Sequence, residues 1–366
     1  MMMQLRYFFA VSIIGSLLVL NLSCAEKSQA PESMNLKLLR MQAEANYQTD
    51  IVQNPASVKS VQRVALVSGI DQSADQSFWN SIASHKPDLV IATGNTVHST
   101  KAFEKPLLSQ YKKLDENEDY RKIRQSVPFM ATWDELDFGI RHGDSSFQSK
   151  NESRDAFLKY WNYIPKLQPK SAKGIEHSII LGPAGKRVQI IVLDTRYYAT
   201  PWTENGSDGK FKKNWSKSAS LLGAQQWNWL ANELRKDSDF KVIVSSLQLA
   251  ANTDEGERWG LYPHDRQKLF DTIRNAGAKK VVVVSGNRNF GALGKVDMEN
   301  YGPLYDLTVG PFNESVMSSE KDRHYIGDSV ASGNFGMLEW DWKRQTLHLK
   351  IFDRDNKLAK DLRINI

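Results

Sequence analysis

The sequence predicts an α/β fold of sheets flanked by helices, and three observations carry that prediction. Short apolar runs recur from about residue 61 onward, stretches with helical spacing fall between them, and the composition is 41% hydrophobic and 25% charged, enough to bury a core. The same values fit poorly with wholesale disorder, a collagen repeat or a multi-span membrane protein. At 366 residues the chain has room for one large α/β sheet system or two ordinary units.

At the N-terminus, Arg6 precedes an apolar stretch from Tyr7 to Leu20, shorter than the ~20 residues of a comfortable transmembrane helix. Residues 1–23 therefore read as a secretory signal. The segment ends Leu20-Asn21-Leu22-Ser23-Cys24, which resembles a bacterial lipoprotein signal whose Cys is acylated after cleavage, although Asn21 departs from the usual aliphatic residue. The resemblance implies a chain lipid-anchored at Cys24 in the bacterial cell envelope, on its periplasmic or extracellular side. A secreted protein with a free thiol and a retained anchor are the alternatives. Cys24 is the only Cys, so an intramolecular disulfide and a multi-cysteine zinc site are excluded. Residues 24–60 read as a tether with one short helix near Met34 to Met41, and the domain proper as 61–366.

Buried strands are expected at Arg63 to Ser68, Asp88 to Ala92, Pro128 to Thr132, Val188 to Asp194, Lys241 to Ser246 and Val281 to Ser285. Trp227, Leu230, Ala231 and Leu234 fall at i, i+3, i+4 and i+7, which makes Gly223 to Lys236 an amphipathic helix, and Pro263 to Ala276 reads the same way. Gly336 to Trp342 and Thr346 to Phe352 read as two strands around a Lys-Arg-Gln turn, closing one sheet edge. The excess of 48 Lys plus Arg over 42 Asp plus Glu is spread along the sequence; it mildly favours anionic partners and gives no reason to expect nucleic acid.

Ligands collect just beyond strand ends in open α/β sheets. Here those positions read Ser68-Gly69, Gly94-Asn95-Thr96-Val97-His98, Thr132-Trp133-Asp134-Glu135-Leu136-Asp137-Phe138-Gly139, Leu193-Asp194-Thr195-Arg196-Tyr197-Tyr198, Ser245-Ser246-Leu247-Gln248 and Ser285-Gly286-Asn287-Arg288-Asn289. In order and spacing, together with Leu222-Gly223 to Trp229-Leu230 and Asn334-Phe335-Gly336, the series resembles the PhoD-like (alkaline phosphatase D-like) metallophosphoesterases over roughly residues 61–350. The resemblance implies a calcineurin-like metallophosphoesterase double-sheet sandwich with a two-metal centre, of calcium and iron or similar ions, where the strand ends converge.

It also implies that this centre is degenerate. Gly69 stands where the family has a ligand Cys, Asn95 where it has the bridging Asp, Asn287 and Asn289 where it has a late Asp and His, and Leu136 where it has the catalytic His. His98 takes a Tyr position, and Glu135 keeps only the charge of an Asp. Metal centres need anionic or imidazole ligands to offset concentrated positive charge. The chain therefore reads as a pseudophosphatase, with no cofactor expected, binding an anionic small molecule, a phosphoester, a sulfated glycan or a protein. Asn95, Asp134, Arg196, Gln248, Asn287, Arg288 and Asn289 are the candidate binding residues. The competing enzyme reading is weak phosphoester hydrolysis on a relocated metal held by some of His98, Asp134, Glu135, Asp137 and His142. Against both stand plainer roles: loop bracing for Asp134 and Asp137, an Asp194–Arg196 ion pair, solvation of Arg288, and surface or hydrogen-bonded positions for His142 and His264. Trp227 is assigned to the core, whereas Trp202, Trp215 and Trp259 are candidates for an exposed sugar-binding surface.

Overall fold

The computed structural model describes residues 51, 53–99, 107–203, 210–253, 255–314 and 318–366, all within one compact unit, Ala43–Ile366. The signal, Cys24 and most of the tether lie outside the described residues. The packed unit starts before Val61, however. Gln53 is buried, donates from its side-chain amide to Arg124 O (3.0 Å) and accepts from Phe129 N (2.6 Å). Residues 53–60 are thus part of the domain rather than free tether, because a polar side chain closes two backbone ends that burial would otherwise leave unpaired.

Two six-stranded sheets form the body. The first has β1 (Arg63–Val67), β2 (Leu89–Thr93), β3 (Phe129–Thr132), β10 (Asn334–Asp341), β11 (Thr346–Asp353) and β12 (Leu358–Asn365), in the order β12-β11-β10-β1-β2-β3. The second has β4 (His177–Leu181), β5 (Val188–Val192), β6 (Phe240–Val244), β7 (Val281–Ser285), β8 (Ala292–Met298) and β9 (Gly302–Thr308), in the order β4-β5-β6-β7-β9-β8. The central strands β1 to β3 and β5, β6, β7, β9 run parallel within their sheets. All of these but β9 are buried on both faces along nearly their whole length, as continuous runs such as Val281-Val-Val-Val require, while β9 starts at half-buried Gly302 and exposed Pro303 and has Tyr305 half-buried. The two expected C-terminal strands exist, but they do not close the edge. β10 pairs with β1 inside the sheet and β12 forms the edge. An edge strand needs no continuous apolar run, and β12 alternates exposed residues, including Asp361 and Arg363, with half-buried Lys360, Leu362 and Ile364.

Helices cover the outer faces: α1 (Phe78–Ser84), α2 (Leu107–Asp115), α3 (Glu118–Ser126), the single turn α4 (Glu135–Phe138), α5 (Lys150–Tyr160), the short α6 (Ile164–Leu167), α7 (Gly223–Leu234) and α8 (Pro263–Asn275). No described helix is long and apolar enough to cross a membrane. Trp227 is buried on α7, as its spacing predicts; Trp259 is buried too, while Trp215 is 65% exposed. The Gln226 amide explains the motif on α7. It accepts from Asp194 N (2.9 Å) and donates to Asp194 O (2.8 Å), tying the helix to the end of β5. Because the central strands of both sheets point the same way, their C-terminal ends meet at one end of the sandwich, with Thr132 Oγ1 donating across the sheets to Leu193 O (2.8 Å).

Candidate functional site

The strand ends enclose a cavity of about 340 Å³. Gly69, Asn95, Glu135, Leu136, His142, Asn287, Arg288 and Asn289 all line it, together with Arg141, Glu257 and Glu314, which carry no expectation from sequence. The degenerate positions thus converge on one space.

Asn95 and Asn287 sit in left-handed backbone conformations (φ 52° and 55°), which Asn tolerates better than most residues. Asn95 Oδ1 accepts from Leu136 N (2.9 Å), which fixes the amide so that its other end is an NH2 donor and not a ligand oxygen. Asn287 Nδ2 likewise donates to Glu257 Oε2 (3.1 Å). At Gly69 (φ +65°) an added Cβ would lie 3.1 Å from both Glu314 Oε1 and the Pro311 backbone. Glu314 therefore crowds the place of a first-strand side chain, and its Oε1 lies 2.9 Å from His98 Nε2. Burial works against a charged His98, but its hydrogen bond to Glu314 and the negative charges of Glu314, Asp71 and Asp137 together outweigh this and raise its pKa.

Beneath the cavity lies a buried charge network. Arg196 is fully buried; its Nε donates to Asp134 Oδ1 (2.6 Å), and its two terminal nitrogens donate to Glu257 Oε1 (2.9 Å) and Oε2 (2.5 Å). Burial opposes a charged Glu257, yet Arg196 and His142 hold it well below the usual carboxylate range. Asp134 goes the other way, pushed up to about 7 because burial outweighs the one guanidinium contact. The hydrogen bond to Glu257, whose Oε1 is 3.2 Å from Nδ1, raises His142. Asp137 braces the loops, as its plainer reading has it: its carboxylate accepts from the backbone N–H groups of Asp134 (2.5 Å), Thr96 (3.0 Å) and Asn95 (3.2 Å).

Several candidate binding residues are placed differently from expectation. Arg196, Asp134 and Gln248 do not line the cavity. Arg196 is spent on two carboxylates, and Gln248 is buried, donating to Thr308 Oγ1 (2.9 Å) and Tyr325 OH (3.0 Å). The partner of Arg196 is Glu257 and Asp134, not Asp194, which instead accepts from Trp133 Nε1 (2.9 Å). Arg288 does reach the cavity but is committed, donating to Glu320 Oε2 (2.5 Å) and Glu255 O (3.2 Å). His142 lines the cavity half-buried and hydrogen-bonded to Glu257, which agrees with its plainer reading.

A two-metal centre does not fit these residues. Three of its positions present the amides of Asn95, Asn287 and Asn289, the first two tied up as described, and Gly69 has no side chain, while Leu136 stands at the catalytic position beside it. A different trio is possible: Glu135, His142 and Glu257 each bring one ligand atom within 4.8 Å of the others, a set that could hold a single ion.

A double-sheet α/β sandwich with its cavity at the convergent strand ends is the architecture of the metallophosphoesterases. A family model described as PhoD-like phosphatase matches residues 68–340, and the chain belongs to that family. It is 22% identical over 181 residues to alkaline phosphatase D of Bacillus subtilis, a match covering 44% of this chain and 31% of the curated relative, so less than a third of that protein's length is spanned. Among solved structures, PhoD superposes with a TM-score of 0.64 at 14% identity, covering 84% of this chain and 73% of PhoD. A dimetal phosphatase from Danio rerio gives 0.55 at 12% identity, covering 84% and 99%.

Proposed function

We propose that this chain is a PhoD-like protein without phosphatase activity, in which internal ion pairs replace the metal centre, and that it serves as a binding protein of the bacterial envelope, lipid-anchored through Cys24. The observation that carries the reading is Asn95. Its Oδ1 is held by Leu136 N, so a position that would need a bridging carboxylate offers a cation the wrong end of an amide. Gly69, Leu136, Asn287 and Asn289 add to the loss. Changing even one residue that supports a metal ligand commonly costs ~10 to 100-fold in affinity or activity.

The cavity lining also narrows the ligand. Arg141, Arg288 and the asparagine amides face Glu135, Glu257 and Glu314 across the same space. A bare dianion would meet as much negative as positive charge, so a phosphorylated or sulfated sugar, with hydroxyl groups to use the mixed lining, suits it better than free phosphate. The test is hydrolysis of phosphomonoesters and phosphodiesters with calcium, iron, manganese and zinc. The expected outcome is no turnover, and rates in the ordinary enzyme range of ~1 to 1000 per second would overturn the reading.

The trio Glu135, His142 and Glu257 favours a second reading, weak hydrolysis on one relocated ion. An ion there would have to displace a proton from His142 and share Glu257 with Arg196. Arg196→Met would then increase metal affinity if the protein stays folded.

A further inference from the structure

The end of the sandwich opposite the cavity carries an unpaired positive face. A groove of about 700 Å³ lies there, where β6 and β7 begin and β12 ends. Its floor includes Phe240, Val281 and Pro303, the rings of Tyr301 and Tyr305 stand in its wall, and Arg274, Lys279, Lys280 and Arg363 supply its charge. No Asp or Glu side chain lines it. Arg274 is offset by Asp271 (2.7 Å), but Lys279, Lys280 and Arg363 are exposed and make no ion pair among the described residues. The neighbouring turns at this end add exposed Lys86, Lys186 and Lys343, likewise without an ion-pair partner among the described residues. Most carboxylates of the same turns are engaged: Asp88 accepts from Gln62 N and Arg63 N (both 2.8 Å), and Asp237 and Asp239 pair with Arg187 (2.9 and 3.4 Å), while exposed Glu299, next to Asn300 on the groove's own turn, offsets one of the cations.

We propose that this face docks on anionic phospholipid headgroups. Clusters of about four to eight Lys and Arg beside a membrane attachment bind anionic lipid, each near-surface cation contributing about 1 kcal/mol, or roughly five-fold in affinity. The path of the chain selects a membrane over a soluble polyanion. The described N-terminal residues run along this same end, with Gln53 closing the start of β3, and with Trp342 Nε1 donating to Val61 O (2.8 Å) and Trp340 N to Gln62 O (2.8 Å). Residue 53 thus joins the fold at the same end as the groove, at the β3 edge of the first sheet. The orientation points the cavity away from the lipid. This inference rests on the envelope location and the Cys24 attachment of the proposed function, while its test removes the anchor.

The test uses the chain from residue 24 onward with Cys24→Ser, so that no acyl group contributes, in sedimentation with vesicles. Vesicles rich in phosphatidylglycerol should carry the protein down at low salt, phosphatidylcholine vesicles should not, and ~0.5 M salt should release it, since screening shortens the attraction below ~8 Å. Lys279→Glu, Lys280→Glu and Arg363→Glu combined should lower affinity by at least about 100-fold. Lys86→Glu with Lys343→Glu, remote from the groove floor, should lower it by roughly ten-fold or more and guards against misfolding of the first variant. Equal binding to both vesicle types, or binding untouched by both variants, overturns the proposal. Capture by a sulfated polysaccharide without vesicle binding would overturn it too and give the groove to a glycan. Phosphatase activity in the same preparation would sink the proposed function while leaving this result standing.

Discussion

The two ends of the sandwich are built from the same strands yet treat charge in opposite ways. At the cavity, Arg196, Asp134, Glu257 and His142 are buried or half-buried and pair with one another, leaving only the buried Asp134 Oδ2 without a partner. At the far end, Lys279, Lys280 and Arg363 stand in solvent without an ion-pair partner among the described residues. Buried charge must be matched inside the molecule, because desolvation is not repaid otherwise, whereas surface charge can wait for an outside partner. The cavity end has therefore turned its polar chemistry inward, and the basic end keeps it available.

The largest expected effect breaks the inward network. Arg196→Met removes the cation shared by two buried carboxylates and should destabilise the protein by about 3–5 kcal/mol in urea unfolding. A cost below about 1 kcal/mol would show that the network is not needed to hold this end together.

Next comes a pH effect at the margin of the same end. Glu176 is buried, accepts from Tyr198 OH (2.7 Å), has no partner for Oε2, and is pushed up to about 7 by burial and then by Asp194. The two carboxylates crowd Gly174, where a Cβ would meet Asp194 Oδ2 at 2.3 Å and Glu176 Oε2 at 2.8 Å. A carboxyl whose folded pKa is raised stabilises the fold fully below its ordinary value and loses that contribution as pH rises through the folded one. Wild type should therefore lose stability between about pH 4.5 and 7 relative to Glu176→Gln. Above that window the variant should be more stable by about 2–3 kcal/mol, while the two match near pH 4. Parallel stability profiles for the two proteins would remove Glu176 as the cause.

The smallest effect sharpens the contrast. Lys279→Met and Lys280→Met should each leave stability within about 0.5 kcal/mol, because neither charge has a partner to lose. A loss comparable to that of Arg196→Met would mean the basic face is structural.

The parts of this molecule legible in the sequence are those written in local pattern. Continuous β-branched runs marked β1, β5, β6 and β7, and the strand-end motifs located the cavity lining from Gly69 to Asn289. Strands β8 and β12 escaped because Gly294, Lys295 and Asp297, or Lys360 and Asp361, interrupt any apolar run; their pairing partners hold them in place. The missed site residues have a similar cause. Glu257 meets Arg196 across 61 residues and Glu314 meets His98 across 216, distances over which sequence pattern carries no pairing information. A buried Arg196 does demand a carboxylate, and Glu257 would have emerged had burial of that arginine been visible. The sequence leaves Arg196 open between an ion pair with Asp194 and a ligand, since its position just past β5 says nothing about which way the guanidinium turns.

The structure also corrects the most direct route back to an active centre. Gly69→Cys would be strained in its left-handed conformation and would strike Glu314, so restoring that ligand alone should damage the fold. The remaining four positions carry no such conflict with the described backbone, since Asp, like Asn, tolerates the left-handed region. The decisive measurement is accordingly calorimetric titration of divalent metal into wild type and into Asn95→Asp, Leu136→His, Asn287→Asp and Asn289→His combined. The account predicts no binding heat for the wild type and clear metal uptake by the folded variant. Stoichiometric, tight binding of metal by the wild type would contradict it.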